Sequence, residues 1–331
     1  ARESCSGCTD WGLTHPFAHG PVRWQTPDTE SGRSGVGMPQ VRANGIDIEV
    51  ETLGNPADPP ILLVMGLDYQ LTHWPEAFVE QLVSRGYYVI RFDNRDVGLS
   101  TWFDDAPEPN MTVVWLGSWL GLRPKTAYTL SDMANDTVGV LDALGIDSAH
   151  IVGASMGGMI AQRLAMEHSE RVRSLCSIMS APRPNRSSFR LTRELLKLDR
   201  NPNTREERIE KGLATFRLLS GKGFTFDEDH ARREAAVAVD RAWHPEGTAR
   251  QLAAIMADGD RRPALAGLDV PTTVIHGTDD RLVLPKHGQE TTDTIPGAEL
   301  VWIDGWGHDF TEGAWPVILD AISNLVGRAG G

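Results

Sequence analysis

Six apolar runs of strand length, separated by helix-like stretches, restrict the fold of this sequence more than any other feature. "ILLVMG" ends at Gly66, "YYVIRFD" at Asp93, "HIVGAS" at Ser155, "LCSIMS" at Ser180, "TTVIHG" at Gly277 and "ELVWID" at Asp304. Each run is nearly continuous rather than alternating, as expected of strands buried on both faces. Strands of this kind, with helices between them, imply an α/β fold: a mostly parallel central sheet with helices on both faces. The intervening helices are read over Trp74 to Arg85, Ser131 to Leu144 and Met156 to His168, with a last one from about Pro316. Ser131 is the expected cap of the second and Gly145 its stop. Ahead of them, "VRANGIDIEV" alternates around Asn44-Gly45, a two-residue hairpin signal.

The alternation breaks once. From Ala181 to about Arg262, charged helical patterns run without an apolar strand between them. An insertion there leaves and re-enters at the sheet edge where α/β proteins bind ligands, so residues 182–262 are expected to form a helical cap. Residues 39–181 and 263–331 then make up the core. A shorter insertion, about Thr101 to Thr129, carries Trp102, Trp115 and Trp119 near the same edge. Residues 1–38 are rich in Gly, Ser, Pro, Thr and charge and read as an irregular extension, with Trp11, Phe17 and Trp24 available to pin it. The chain length of 331 residues suits one large domain with an insertion.

Lys and Arg total 32 against 45 Asp and Glu, a formal net charge of -13. Such a surface repels phosphate backbones and anionic lipid, so neither nucleic acid nor membrane is an expected partner. No apolar stretch approaches the ~20 residues that span a bilayer, and the N-terminus lacks a basic-then-apolar signal pattern. A cytoplasmic location is therefore expected, with N-terminal processing left open by the first residue, Ala1. Cys5 and Cys8 form a lone C-x-x-C. A structural zinc site needs four ligands; His15 and His19 are near in sequence, but the composition favours a tail. Cys176, in "LCSIMS", reads as a small core residue.

Gly153-Ala154-Ser155-Met156-Gly157 fits G-x-S-x-G, after an expected strand and before an expected helix. A tight turn there lifts the serine hydroxyl clear of the sheet and aims the free N–H groups of the helix at the same spot. Ser155 is the candidate nucleophile; the alternative is a small-residue packing turn. A serine needs a base. His308 in "IDGWGHDF", a Gly-rich loop after the last strand, is the choice over His276 at the end of "TTVIHG". The imidazolium needs a carboxylate. "HGTDDRLVLP" offers Asp280, three residues past Gly277, with Asp279 as runner-up. Two backbone donors are expected to hold the oxyanion: Met156 N–H and Leu67 N–H, with Gly66 giving the second loop room to approach.

These residues carry a resemblance. "VMG", "FDNRDVGLS", "GASMGG", "HGTDD" and "GWGHDF" resemble the α/β-hydrolase superfamily from about Val41 to Gly327. Within it, the chain looks most like bacterial capped serine esterases, including the anthracycline methylesterase group, to which "LLVMG" and the run Asp93-Asn94-Arg95-Asp96 are similar. Met65 departs from the wider pattern, in which a histidine often precedes the oxyanion glycine. The resemblance implies that the Asp93–Asp96 segment is a buried Asp–Arg network bracing the site, without a catalytic role.

The expected activity is hydrolysis of carboxylic esters, including methyl esters, of apolar small molecules through an acyl-enzyme, without cofactor or metal. Lactone hydrolysis or another acyl-transfer or perhydrolytic reaction uses the same triad. A non-catalytic binding protein on the same fold is the reading from a different class; it would be expected to lack a triad member. Candidate pocket residues are Gly66, Leu67, Trp102, Trp115, Trp119, Phe189, Phe216, Trp243 and Trp306, each of which could instead be a packing residue.

Overall fold

The computed structural model describes residues 40–330 apart from 121, 123, 185–188 and 199–201; at 118, 119, 189, 190, 192, 193 and 196 it describes the backbone alone. The expected N-terminal extension, with its cysteines and aromatic residues, lies outside the described residues.

A hairpin comes first. Strands β1 (Val41–Ala43) and β2 (Ile46–Ile48) pair antiparallel. Asn44 and Gly45 between them have φ of 48° and 81°, the left-handed pair that a two-residue turn of this hand requires. The alternating pattern suggested one strand through Val50. The chain instead breaks at Glu49, whose N–H donates to Ser100 Oγ at 3.0 Å and whose carbonyl accepts from Asp93 N at 3.0 Å. Beyond the break, β3 (Val50–Leu53) joins the main sheet as an antiparallel edge.

The main sheet continues with β4 (Pro60–Val64), helix α1 (Glu76–Ser84) and β5 (Tyr88–Phe92). Helices α2 (Met111–Trp119) and α3 (Leu130–Ala143) lead to β6 (Ala149–Ala154), then α4 (Met156–Glu167) and β7 (Val172–Ile178). Among the described residues, five helices follow without a strand: α5 (Phe189–Leu198), α6 (Arg205–Leu219), α7 (Glu228–Arg241), α8 (Pro245–Asp258) and the short α9 (Arg262–Leu265). The chain closes with β8 (Thr272–Gly277), α10 (Lys286–Thr294), β9 (Glu299–Ile303) and α11 (Trp315–Arg328). Strand order is β3-β5-β4-β6-β7-β8-β9, and all pairs but the β3 edge are parallel.

Continuous apolar strands follow from having both faces covered. In β4, Leu62 and Val64 pack with Met133, Ile160 and Leu164 of α3 and α4. Ile61 and Leu63 face the other way, toward Phe78, Leu82 and Ile318 of α1 and α11. Each such side chain, fully buried, stabilises the fold by about 1.5–3 kcal/mol. The start of α3 differs from expectation. Its cap is Thr129, whose Oγ1 accepts from Asp132 N while Asp132 Oδ2 accepts from Thr129 N at 2.8 Å. Ser131 lies inside the first turn and donates to Glu167 Oε1 at 2.8 Å. A reciprocal pair satisfies two of the orphan amides, which a lone serine cannot do.

The two ends of the segment between β7 and β8 meet at Arg261, which is buried. Its Nη2 donates to Ala181 O at 2.6 Å, its Nε to Gln162 Oε1 at 3.0 Å, and it pairs with Asp258. The Arg261 N–H donates to Pro182 O at 2.9 Å. One side chain thus ties both ends of the segment between β7 and β8 to α4.

Candidate active site

The strand order reverses between β4 and β6, since β4 connects on to β5 on one side while β6 begins the run to the other. Loops leaving the carboxyl ends of two such strands diverge and open a crevice. The Gly66 loop and Ser155 stand at those ends.

Ser155 occupies the turn between β6 and α4 with φ 55° and ψ -118°. A non-glycine residue holds such a backbone only where its surroundings impose it. The flanking glycines supply the room. A Cβ on Gly153 would lie 2.2 Å from Gly157 O, and one on Gly157 would lie 2.0 Å from Val64 O. The sequence G-x-S-x-G is therefore what lets β6, α4 and β4 meet this closely.

Ser155 Oγ lies 2.9 Å from His308 Nε2, and His308 Nδ1 lies 2.7 Å from Asp280 Oδ2. With Nδ1–H donating to the carboxylate, Nε2 is left as acceptor for the serine proton. Asp280 is itself fixed: its Oδ1 accepts from Leu282 N at 2.9 Å and Val283 N at 2.8 Å. Asp280 and His308 are buried. Asp279 points elsewhere, its Oδ2 accepting from Lys222 N at 3.0 Å. His276 lies behind the carboxylate, with Nε2 2.8 Å from Val283 O and 3.6 Å from Asp280 Oδ2. Burial holds it below the usual imidazole range.

Gly66 approaches Ser155 closely, since a Cβ there would lie 3.1 Å from Ser155 Cβ. Leu67 follows it directly. Met156 N–H is the first amide of α4, a position with no intrahelical acceptor. Ser155, His308, Gly66, Leu67 and Met156 all line one cavity of about 1900 Å³. Trp115 and Phe216 line it too.

Three expected pocket residues do not line it. Trp306 is fully buried in the apolar layer shared with α1 and α11, where its bulk fills the core. Trp102 lies at the surface, stacked on the His244 ring at 4.2 Å with its Nε1 donating to Gly98 O at 3.0 Å. Trp243 carries the Arg208 guanidinium 5.1 Å over its ring, a cation–π contact. Phe189 and Trp119 fall within helices α5 and α2, and their side chains lie outside the described residues.

The cavity also has lining that the sequence reading missed. Tyr69 stacks on His73 at 4.2 Å, with the Phe216 ring edge-on to Tyr69 at 5.8 Å. Burial lowers His73 to about 4, so this ring stays neutral near neutral pH. Tyr69 is two residues past Leu67, and that short spacing was the available signal. His230 of α7 faces the cavity and lies 3.2 Å from Glu234. Asp309, next to His308, lines the cavity with its carboxyl pushed up by burial.

Asp93 to Asp96 form a buried network that joins the loop after β5 to α3, α7 and α8. Asp93 accepts from Leu71 N at 2.7 Å and pairs with Arg241 of α7 at 2.6 Å. Arg95 makes a two-pronged pair with Asp136 at 2.6 Å. Asp96 receives Arg250 of α8 at 2.7 and 2.9 Å and the Tyr128 hydroxyl at 2.8 Å.

The profile of the alpha/beta hydrolase fold family matches residues 59–312, more than half of the chain. The chain belongs to the α/β-hydrolase family. Among its hydrolase relatives, it is 31% identical to rhodomycin D methylesterase DauP of Streptomyces sp. strain C5, over 78% of this chain and 87% of the relative. It is 30% identical, with the same coverage, to rhodomycin D methylesterase DnrP of Streptomyces peucetius. Among solved structures, the α/β-hydrolase architecture recurs in a meta-cleavage product hydrolase of Pseudomonas fluorescens IP01. The TM-score is 0.70 at 18% identity, covering 88% of this chain and 98% of that one. Among the described residues, no helix is long and apolar enough to cross a membrane.

Proposed function

We propose that this α/β hydrolase cleaves carboxylic esters through an acyl-enzyme formed on Ser155. The observation that carries the reading is the continuous relay Ser155 Oγ, His308 and Asp280, with steps of 2.9 and 2.7 Å. Ser155 Oγ attacks the ester carbonyl as its proton passes to His308 Nε2, and Asp280 holds the resulting imidazolium. Leu67 N–H and Met156 N–H receive the oxyanion. His308 returns the proton to the departing alcohol; it then takes a proton from water as that water attacks the acyl carbon, and gives it back to Ser155 Oγ as the ester bond to the enzyme breaks and the acid leaves. Residues 182–262 serve as the cap over this site. A complete relay speaks for turnover rather than binding alone.

The two methylesterase relatives point to methyl esters, in which the alcohol is small and the acyl part carries the bulk. The cavity of about 1900 Å³ is in keeping with that division, since pockets for drug-sized ligands run about 300–1,000 Å³. The reading is tested by turnover of p-nitrophenyl acetate and butyrate, followed by a panel of methyl esters, longer alkyl esters and lactones. Wild type is expected to turn over the nitrophenyl esters and to prefer methyl esters of bulky acids within the panel. Ser155→Ala is expected to lose all of these activities. Equal turnover by both proteins would remove Ser155 as nucleophile.

A further inference from the structure

The proposed oxyanion donor Leu67 N–H belongs to the peptide between Gly66 and Leu67, and a buried side-chain amide holds the chain on each side of it. On the N-terminal side, Asn94 Nδ2 donates to Met65 O at 2.8 Å. On the C-terminal side, Asp68 N–H donates to Gln251 Oε1 at 2.9 Å, while Gln251 Nε2 donates to Arg95 O at 2.8 Å. Gln251 is 0% exposed and Asn94 2%. One partner of Gln251 offers a hydrogen and the other a lone pair, so the amide fits only one way round.

The residue that Gln251 grips is one that needs gripping. Asp68 has φ 66°, a left-handed backbone that a non-glycine residue keeps only under constraint. Thr248, on the same face of α8 as Gln251, donates its Oγ1 to Asp68 Oδ1 at 2.5 Å. Helix α8 therefore holds Asp68 at both its amide and its carboxyl. Through Arg95 O it also ties that residue to the loop after β5.

We propose that Gln251 is a positioning residue for the oxyanion hole, holding the Leu67 N–H aimed at Ser155 by fixing the next amide along the chain. The inference rests on the reading of Leu67 N–H as an oxyanion donor. Its consequence is that the inserted segment does more than cover the site: α8 completes the alignment of the reacting centre. Backbone donors stabilise the transition state because they are fixed before charge develops. A loosened donor therefore slows turnover while leaving ground-state binding nearly as it was.

The test compares wild type with Gln251→Met, which removes both hydrogen bonds at similar length. Gln251→Asn, one methylene too short to span both partners, serves as a second variant should the first fail to fold. Three quantities are read: kcat and KM for p-nitrophenyl butyrate, melting temperature, and affinity for phenylboronic acid, which forms a tetrahedral anionic adduct on the serine. The expected result is a fall in kcat of about 10- to 100-fold, nearly unchanged KM, and weaker boronate binding by a similar factor. A lower melting temperature with kcat and boronate affinity intact would make Gln251 a structural tie and overturn the proposal. A rise in KM alone would overturn it too. Wild-type protein that neither hydrolyses the ester nor binds the boronate would instead remove the ester-hydrolase reading, and this inference with it.

Discussion

At the scale of single residues, two adjacent carboxylates have been given different work by their hydrogen bonds. Asp280 faces His308 with one oxygen and two backbone amides with the other, whereas Asp279 accepts from Lys222 N. Asp280→Asn is expected to cut kcat by about 10³- to 10⁴-fold, because the amide disfavours the tautomer that accepts the serine proton. Asp279→Asn is expected to stay close to wild type. Steady-state kinetics of the two variants side by side check this, and the reverse order would reassign the acid. The placement of Ser155 in a strand-to-helix turn and of His308 in a Gly-rich loop after the last strand was legible in the sequence, because chain-local context fixes such positions. Three of the indoles were not. Trp102, Trp243 and Trp306 lie near the right loops in sequence, yet a tryptophan's destination depends on which partner its ring meets. Here those partners are His244, the Arg208 guanidinium and the core.

At the scale of elements, β4 and the Asp93–Asp96 segment make complementary predictions. Leu62 is fully buried between β4 and the α3–α4 layer. Leu62→Ala should cost about 2–5 kcal/mol of stability, seen as a lower denaturant midpoint with an unchanged slope. Arg250→Met leaves the Asp96 carboxylate buried without its two-pronged partner. Removing one member of a buried pair costs about 3–5 kcal/mol, and the same denaturation measurement reads it. A change below about 1 kcal/mol would mean that Arg250 adds no more than a surface ion pair. The strands were legible because their continuous apolar runs have few alternatives. The start of α3 was misjudged at Ser131 because Thr129 and Asp132 cap it reciprocally. The grip of Gln251 on Asp68 was invisible, since it joins residues far apart in sequence through one side chain.

At the scale of the whole molecule, buried histidines set a pH dependence. Burial lowers His73 and His150 to about 4, from an ordinary value of 6.5. Between those limits the unfolded chain binds protons that the folded chain refuses. Their contribution is therefore fully favourable above 6.5 and is lost progressively as pH falls toward 4. Each histidine adds a slope of up to about 1.4 kcal/mol per pH unit. Asp93 and Asp136, whose carboxyls are pushed up by burial, act with the opposite sign over a window beginning near 3.8. The histidine effect is thus best read as a difference between variants. His150→Asn, which retains a polar atom near Ser174 Oγ, is expected to lose less stability between pH 7 and pH 5 than wild type does, by chemical denaturation at both pH values. An equal loss would show that His150 takes up its proton in the folded protein as readily as in the unfolded chain.

The claim on which the functional account turns is that the Ser155 hydroxyl is activated by His308 and accessible from the cavity. Reaction with an alkyl fluorophosphonate, followed by digestion and mass spectrometry, tests it most directly. A single adduct is expected on the peptide carrying Ser155, formed far more slowly in His308→Ala. Continued ester turnover with no adduct on that peptide, or labelling at the same rate without the imidazole, would contradict it.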